Sequence, residues 1–169
     1  MDTTPLRDAC RMLLDAADTV AAAGQPGPVP PAGEWNADQI LAHVALVSAA
    51  TIAAASAIAA GASATYDNRI ALDTWTIERQ IALAGGSAGL RDRIRLQAET
   101  LRALGGPMLS EAELDTLVPT LLLSHDELLV SQPLPLRELL AGLAEAELPG
   151  HARQLLALLP DGDRAGAAA

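Results

Sequence analysis

The residues in this sequence best suited to metal or proton chemistry are His43, Glu147 and His151. His43 lies in the stretch EWNADQILAHVAL, where its spacing from Ile40 and Val47 places it on the apolar face of a helix. Glu147 and His151 are four residues apart in a second helical pattern, so an unbroken helix projects both side chains to the same side. A His, Glu, His set with open positions is an accepted ligand set for zinc and related divalent ions, and it leaves room for an activated water.

A second interpretation of these residues competes with the metal site. Pro149 cannot donate a backbone hydrogen bond, so it predicts a kink or a restart of the helix between Leu148 and His151, with Gly150 in the same break. Such a break turns His151 away from the face it would have on a regular helix. His43 is then a core histidine whose ring nitrogens find protein hydrogen-bond partners. We expect this second arrangement, in which the metal site is degenerate.

Two helices with clear start signals begin the chain. The first is predicted from Thr4, as N-cap, to about Ala23, with proline at its first helical position. The second is predicted to begin at Ala37, because Asn36 and Gln39 form a capping box. This helix carries His43 on its buried side.

The sequence after the second helix predicts further helices and one segment that is not helical. RIALDTWTIERQIALAGG is helical in pattern, a long helix follows from Ser87 as cap, and Ser110 with Glu113 caps a short helix. LVPTLLLSHDELLVSQP favours a small hairpin or an extended excursion with His125 in its turn. The last helix follows Pro135, and the Pro-rich run GQPGPVPPAG is a connector between the first two helices.

These elements predict an all-α fold, an antiparallel four-helix bundle with short extra helices and the small hairpin. With 169 residues, we expect one domain over residues 1–160 and a disordered tail over 161–169. Bundles of this class build their sites from inward-facing side chains near one end of the core. We expect a pocket at the end marked by His43 and His151.

Net charge and composition limit the kinds of binding partner and the compartment that we expect for this protein. A net charge of −10 argues against nucleic acid, whose binding needs clustered basic side chains. The single cysteine, Cys10, allows no disulfide within the chain and favours the cytoplasm. The acidic N-terminal stretch with its proline predicts no secretory signal, and the most apolar window is mostly alanine and contains His43, so we expect no membrane span.

Small residues on the second helix predict self-association. Ala49, Ala53, Ala57 and Ala60 form a face, hereafter the alanine face, that permits close approach of another helix. We expect a homodimer.

Aromatic and acidic residues near the candidate site allow two interpretations. Trp35 and Trp75 are expected to be packing anchors, because the sequence has no phenylalanine to fill the core. A further group could line a pocket beside His43, or simply form a solvated helix face: Tyr66, Asp67, Asp73 and Glu78.

Taken together, these stretches resemble the DinB-like superfamily, which includes the mycothiol-dependent maleylpyruvate isomerases and the bacillithiol transferases. EWNADQILAHV is similar to the helix-two signature of that family. PLPLRELLAGLAEAELPGHARQL is similar to its final helix, which usually carries a histidine, three residues, a second histidine and then a glutamine. The resemblance implies His43 as first metal ligand, with either Glu147 and His151 or Ala146 and Gly150 at the positions of the histidine pair.

The resemblance also implies a function. Its members use a divalent metal to activate water or a low-molecular-weight thiol, so one hypothesis is a transferase or isomerase that uses zinc, nickel or manganese and a thiol such as mycothiol. The other hypothesis is a non-catalytic bundle that has lost the metal and binds a small apolar ligand or a partner chain. We favour the second, because only His43 matches the family's ligands without adjustment. Metal content separates the two hypotheses.

Overall fold

Helices dominate the structure, which is a computed structural model describing residues 1–23, 30, 33–124 and 127–159. Most of the predicted connector, His125 and the predicted tail 161–169 lie outside the described residues. The helices are α1 (Thr4–Ala22), α2 (Ala37–Ala59), α3 (Thr74–Ala84), α4 (Ser87–Ala103), α5 (Glu111–Leu114), α6 (Leu136–Gly142) and α7 (Leu148–Ala157). A 3₁₀ turn spans Arg69–Ala71, and two π-helical turns span Leu104–Met108 and Leu143–Glu147.

The long helices share one core. α1 packs against α7 and α4, and α2 packs against α4 and α3. Leucine and isoleucine side chains at helical spacing fill the space between them, and the largest fully buried ones include Leu13, Ile40, Ile94, Leu140 and Leu155. His43 is buried among these residues on the inner side of α2.

A small sheet corrects the prediction of an all-α fold. The predicted hairpin forms from β2 (Leu117–Ser124) and β3 (Glu127–Pro135), which pair antiparallel. A third strand, β1 (Tyr66–Asp67), pairs parallel to β2 in the order β1-β2-β3. Two residues are too short to show an alternating pattern, so the sequence could not indicate β1. The fold is therefore mostly helical with a three-stranded sheet.

The predicted capping box at the start of α2 is confirmed. The Gln39 backbone N–H donates to Asn36 Oδ1 at 3.0 Å, and the Asn36 N–H donates to Gln39 Oε1 at 3.0 Å. A cap of this kind contributes about 1 kcal/mol and fixes where the helix begins. The position of His43 on the buried face follows from that start.

Other boundary predictions need correction. Thr4 is the first residue of α1 and Thr3 precedes it as cap, without a side-chain hydrogen bond. Ser87 likewise begins α4 after Gly86, whose positive φ of 84° suits glycine. Trp75 is not a packing anchor, because it is 69% exposed on the outer side of α3.

Among the described residues, only α2 is long and apolar enough to cross a membrane. Of its most apolar window, 61% is buried inside the structure. That burial is consistent with the core helix of a soluble protein.

Candidate metal centre

His43 is held at both ring nitrogens by two different elements. Its side chain is 5% exposed, and Nδ1 lies 2.8 Å from the carbonyl oxygen of Ala71, at the end of the 3₁₀ turn. Nε2 lies 2.9 Å from Oε1 of Glu147, the last residue of the π-helical turn before α7. Its ring nitrogens therefore meet protein partners, as expected for a core histidine.

His151 joins the same carboxylate oxygen from one helical turn away. Its Nε2 lies 3.2 Å from Glu147 Oε1, and its Nδ1 lies 2.8 Å from Oε1 of Gln154. The rings of His43 and His151 meet edge to face, with their centroids 4.8 Å apart. The expectation that His151 points elsewhere is therefore wrong.

The π-helical turn explains why Pro149 does not turn His151 away. Over Leu143–Glu147 the helix widens, and the Leu148 N–H donates to the carbonyl of Leu143, five residues back. This turn absorbs the misfit that Pro149 would cause in a regular helix. From Leu148 onward the α-helical spacing is restored, so Glu147 and His151 face the same side.

The proton positions on the two histidines follow from their partners. The carbonyl of Ala71 can only accept, so Nδ1 of His43 carries a proton. Oε1 of Gln154 also only accepts, so Nδ1 of His151 carries one as well. In the neutral rings both Nε2 atoms then present lone pairs to Glu147 Oε1, which is itself an acceptor. The two Nε2 lone pairs and the carboxylate oxygen repel one another, so this arrangement is stable only with a proton or a cation between them.

The spacing of the three groups is that of a ligand set. One ligand atom from each of His43, Glu147 and His151 lies within 4.8 Å of the others. Ligand atoms around one tetrahedral zinc ion, each about 2.0–2.1 Å from it, are about 3.3 Å apart. The Nε2 to Oε1 distances of 2.9 and 3.2 Å are close to that value. The two histidine nitrogens lie within 4.8 Å of each other, so the group could hold a divalent ion once its side chains adjust to bring all three ligand atoms onto it.

The electrostatics of the cluster favour a charged carboxylate. Burial, the largest single cause, raises the pKa of Glu147, but the hydrogen bonds and charge interactions with His151 and His43 together outweigh it and hold that pKa well below its usual range. Burial opposes the charged form of His151, but its hydrogen bond and charge interaction with Glu147 raise its pKa above the ordinary value. In the metal-free protein these shifts favour a charged Glu147 carboxylate beside a protonated His151.

Aromatic rings flank the cluster. Trp35 lies against His43, with ring centroids 4.9 Å apart and planes tilted by 45°, and it packs on the hydrophobic core as expected. Tyr66 is buried, and burial raises the pKa of its phenol to about 12, opposed by a hydrogen bond with Thr51 and reinforced by the charge of Glu147. The negative charge of Glu147 therefore acts on the phenol of Tyr66.

The acidic residues proposed as pocket lining are engaged elsewhere. Asp67 pairs with Arg69, Asp73 caps α3 by accepting from the Thr76 N–H, and Glu78 accepts from Gln39. Of the four residues proposed for the lining, Tyr66 is the one whose surroundings include Glu147.

Solvent reaches the cluster at Glu147, whose side chain is 33% exposed. A cavity of about 120 Å³ lies elsewhere, between the start of α1 and α6, where Leu6, Gly105 and Leu140 contribute to its walls. None of the three candidate ligands lines this cavity. The predicted pocket beside His43 stays a prediction.

Sequence reasoning found the three candidate ligands but not their supports. Gln154 lies three residues after His151, yet nothing in that spacing shows that its amide orients His151. The carbonyl of Ala71 carries no sequence signal at all, because a backbone acceptor is defined only by the fold. Such outer partners fix the tautomer and orientation of ligating histidines in metal proteins.

The chain matches no protein-family model, no curated protein and no solved structure.

Proposed function

We propose that this chain is a divalent-metal-binding protein with His43, Glu147 and His151 as its protein ligands. The observation that carries the proposal is the convergence of both Nε2 atoms on one carboxylate oxygen, at 2.9 and 3.2 Å, while both Nδ1 atoms are hydrogen-bonded to oxygen acceptors. A ligating histidine almost always donates its other ring N–H in this way. Imidazole nitrogen with carboxylate oxygen suits zinc, nickel or manganese.

The ligand number supports a reactive site over a purely structural one. Structural zinc sites are closed by four protein ligands, whereas catalytic sites use three and keep a position open. A divalent ion in such a site supplies Lewis-acid chemistry, which lowers the pKa of a water or thiol in the open position. His43 and His151 provide neutral donors, Glu147 provides one negative charge, and Trp35 shields His43 on one side.

The reaction class follows from the resemblance to the DinB-like superfamily. On that basis the long helices form an antiparallel four-helix bundle beside the three-stranded sheet, and this cytoplasmic protein handles a low-molecular-weight thiol, as a transferase or isomerase. The resemblance implies His43 as the first ligand, and Glu147 with His151 is one of the two placements it allows for the ligand pair on the final helix. With Glu147 in that pair, the ligand set carries one negative charge.

Metal analysis of protein purified without a polyhistidine tag tests the proposal. We expect nearly one equivalent of zinc, nickel or manganese per chain, because three convergent donors with fixed tautomers bind divalent ions tightly. Protein stripped with a chelator should take up one equivalent again. Protein that neither retains nor regains a metal ion contradicts the proposal.

The second candidate function is a non-catalytic protein that binds a small apolar ligand or a partner chain. Apolar side chains outside the core favour partner binding: Ala49, Ala53 and Ala60 of the alanine face are exposed, and Leu128 and Leu129 of β3 are each 58% exposed. On this proposal the partner is a second copy, which packs against the alanine face.

Sedimentation velocity at micromolar concentration tests the homodimer. We expect a dimer, and replacement of Ala53 by arginine should yield a monomer that remains folded, since Ala53 is exposed. Wild-type protein that sediments only as a monomer contradicts the dimer without affecting the metal site.

A further inference from the structure

The carbonyl that orients His43 is itself held by a chain of hydrogen bonds. Ala71 is fully buried at the end of the 3₁₀ turn, and its N–H donates to the carbonyl of Asn68 at 2.9 Å. Its own carbonyl accepts from Nδ1 of His43 at 2.8 Å. The orientation of the His43 ring therefore depends on where Asn68 places the turn.

Asn68 is fixed in turn by the hairpin. The residue is 6% exposed, its Nδ2 donates to the carbonyl of Leu123 at 2.8 Å, and its Oδ1 accepts from the Leu123 N–H at 2.9 Å. The backbone N–H of Asn68 also donates to the carbonyl of Leu121 at 3.3 Å. The amide of Asn68 thus extends the pairing of β1 with β2 by one residue.

We infer that Asn68 is a positioning residue of the metal site and that it couples the β2–β3 hairpin to metal binding. This inference rests on the proposed function. Its physical basis is the continuous path from Leu123 through Asn68 and Ala71 to His43, in which each link is a hydrogen bond between buried or half-buried groups. Loss of a group that hydrogen-bonds a ligating histidine directly typically changes metal affinity by about 10- to 100-fold, and Asn68 acts one hydrogen bond further away.

Titration of chelator-stripped protein with Co²⁺ tests the inference. Asn68→Ala should bind Co²⁺ more weakly than wild type by up to about 10-fold, the lower end of the range for direct partners. It should also shift the visible absorption band, because the angle of the His43 ring changes. The matched control is Thr120→Val, which removes another buried hydrogen bond of the same sheet, from Thr120 Oγ1 to the Val118 carbonyl at 2.8 Å. This control should lose stability but keep wild-type Co²⁺ affinity and absorption.

Coupling must act in both directions, so metal should also protect the hairpin. Hydrogen exchange at the Leu123 amide of the wild-type chain should slow when Co²⁺ is added, which gives a test even where Asn68→Ala fails to fold. An unchanged exchange rate, unchanged Co²⁺ affinity in Asn68→Ala, or equal weakening in Thr120→Val overturns the inference. Wild-type protein that binds no Co²⁺ overturns the proposed function as well.

Discussion

His43→Ala and His151→Ala should each abolish divalent-metal binding, whereas His125→Ala should bind as wild type does. Either of the first two changes leaves two protein ligands, which rarely hold a divalent ion. The loss should exceed the roughly 10- to 100-fold that removal of an outer hydrogen-bond partner costs. Co²⁺ titration of chelator-stripped protein, followed by competition with Zn²⁺, measures the affinity of each variant.

The third histidine makes these variants a matched set. His125 has the same side chain but lies in the predicted turn between the two apolar runs, far in sequence from the other two. Metal binding that survives in His43→Ala or His151→Ala contradicts the ligand assignment. Binding lost in His125→Ala means that the metal is bound through that residue. Unfolding curves of the metal-free variants must accompany the titrations, because His43→Ala also removes a hydrogen-bond partner from the buried Ala71 carbonyl.

Local signals in the sequence were enough to place the first half of the site. The capping box of Asn36 and Gln39 defines the start of α2, and the apolar spacing then puts His43 on the buried face. Both signals act within a few residues of each other, so they do not depend on the rest of the fold. The alternatives of a small hairpin or an extended excursion rest on local signals as well, since the two apolar runs are adjacent in sequence.

The prediction for the second half of the site was wrong because two backbone geometries can accommodate Pro149. Pro149 does disrupt a regular helix, but the helix accommodates it with a π-helical turn over Leu143–Glu147 and not with a kink between Leu148 and His151. The last helix α7 packs against α1, and this contact between distant segments keeps the apolar face of α7 toward the core. Spacing within one helix carries no information about that contact.

Contacts between distant segments account for the remaining errors. β1 has two residues and exists because it pairs with β2, which lies about fifty residues later in the chain. Trp75 was expected to fill the core, but Asp73 starts α3 in a register that turns this side chain outward. The Ala71 carbonyl becomes a partner of His43 only after the turn is placed by Asn68.

The metal-free and metal-loaded proteins should respond to pH in opposite directions. Glu147 has a lowered pKa when folded, so its contribution to stability is present above its ordinary pKa of 4.5 and is lost as pH falls through the lowered value. His151 has a raised pKa, so its contribution is present below its ordinary pKa of 6.5 and is lost as pH rises through the raised value. Both contributions are complete between pH 4.5 and 6.5.

Above pH 6.5 the metal-free protein should therefore become less stable. Added Zn²⁺ should stabilise the protein more as pH rises, because Nε2 of each histidine must be free of its proton to coordinate the ion. At a free Zn²⁺ concentration 100 times the Kd, the gain is about 2.7 kcal/mol. Thermal unfolding at pH 6.0 and 8.0, with a chelator or with Zn²⁺, measures both effects. Glu147→Gln is the control, since it shares every other titrating group but lacks the charge that raises the pKa of His151. Wild-type and Glu147→Gln curves that run parallel in chelator, or a Zn²⁺ gain that shrinks toward pH 8.0, would show that these three side chains do not form the proposed site.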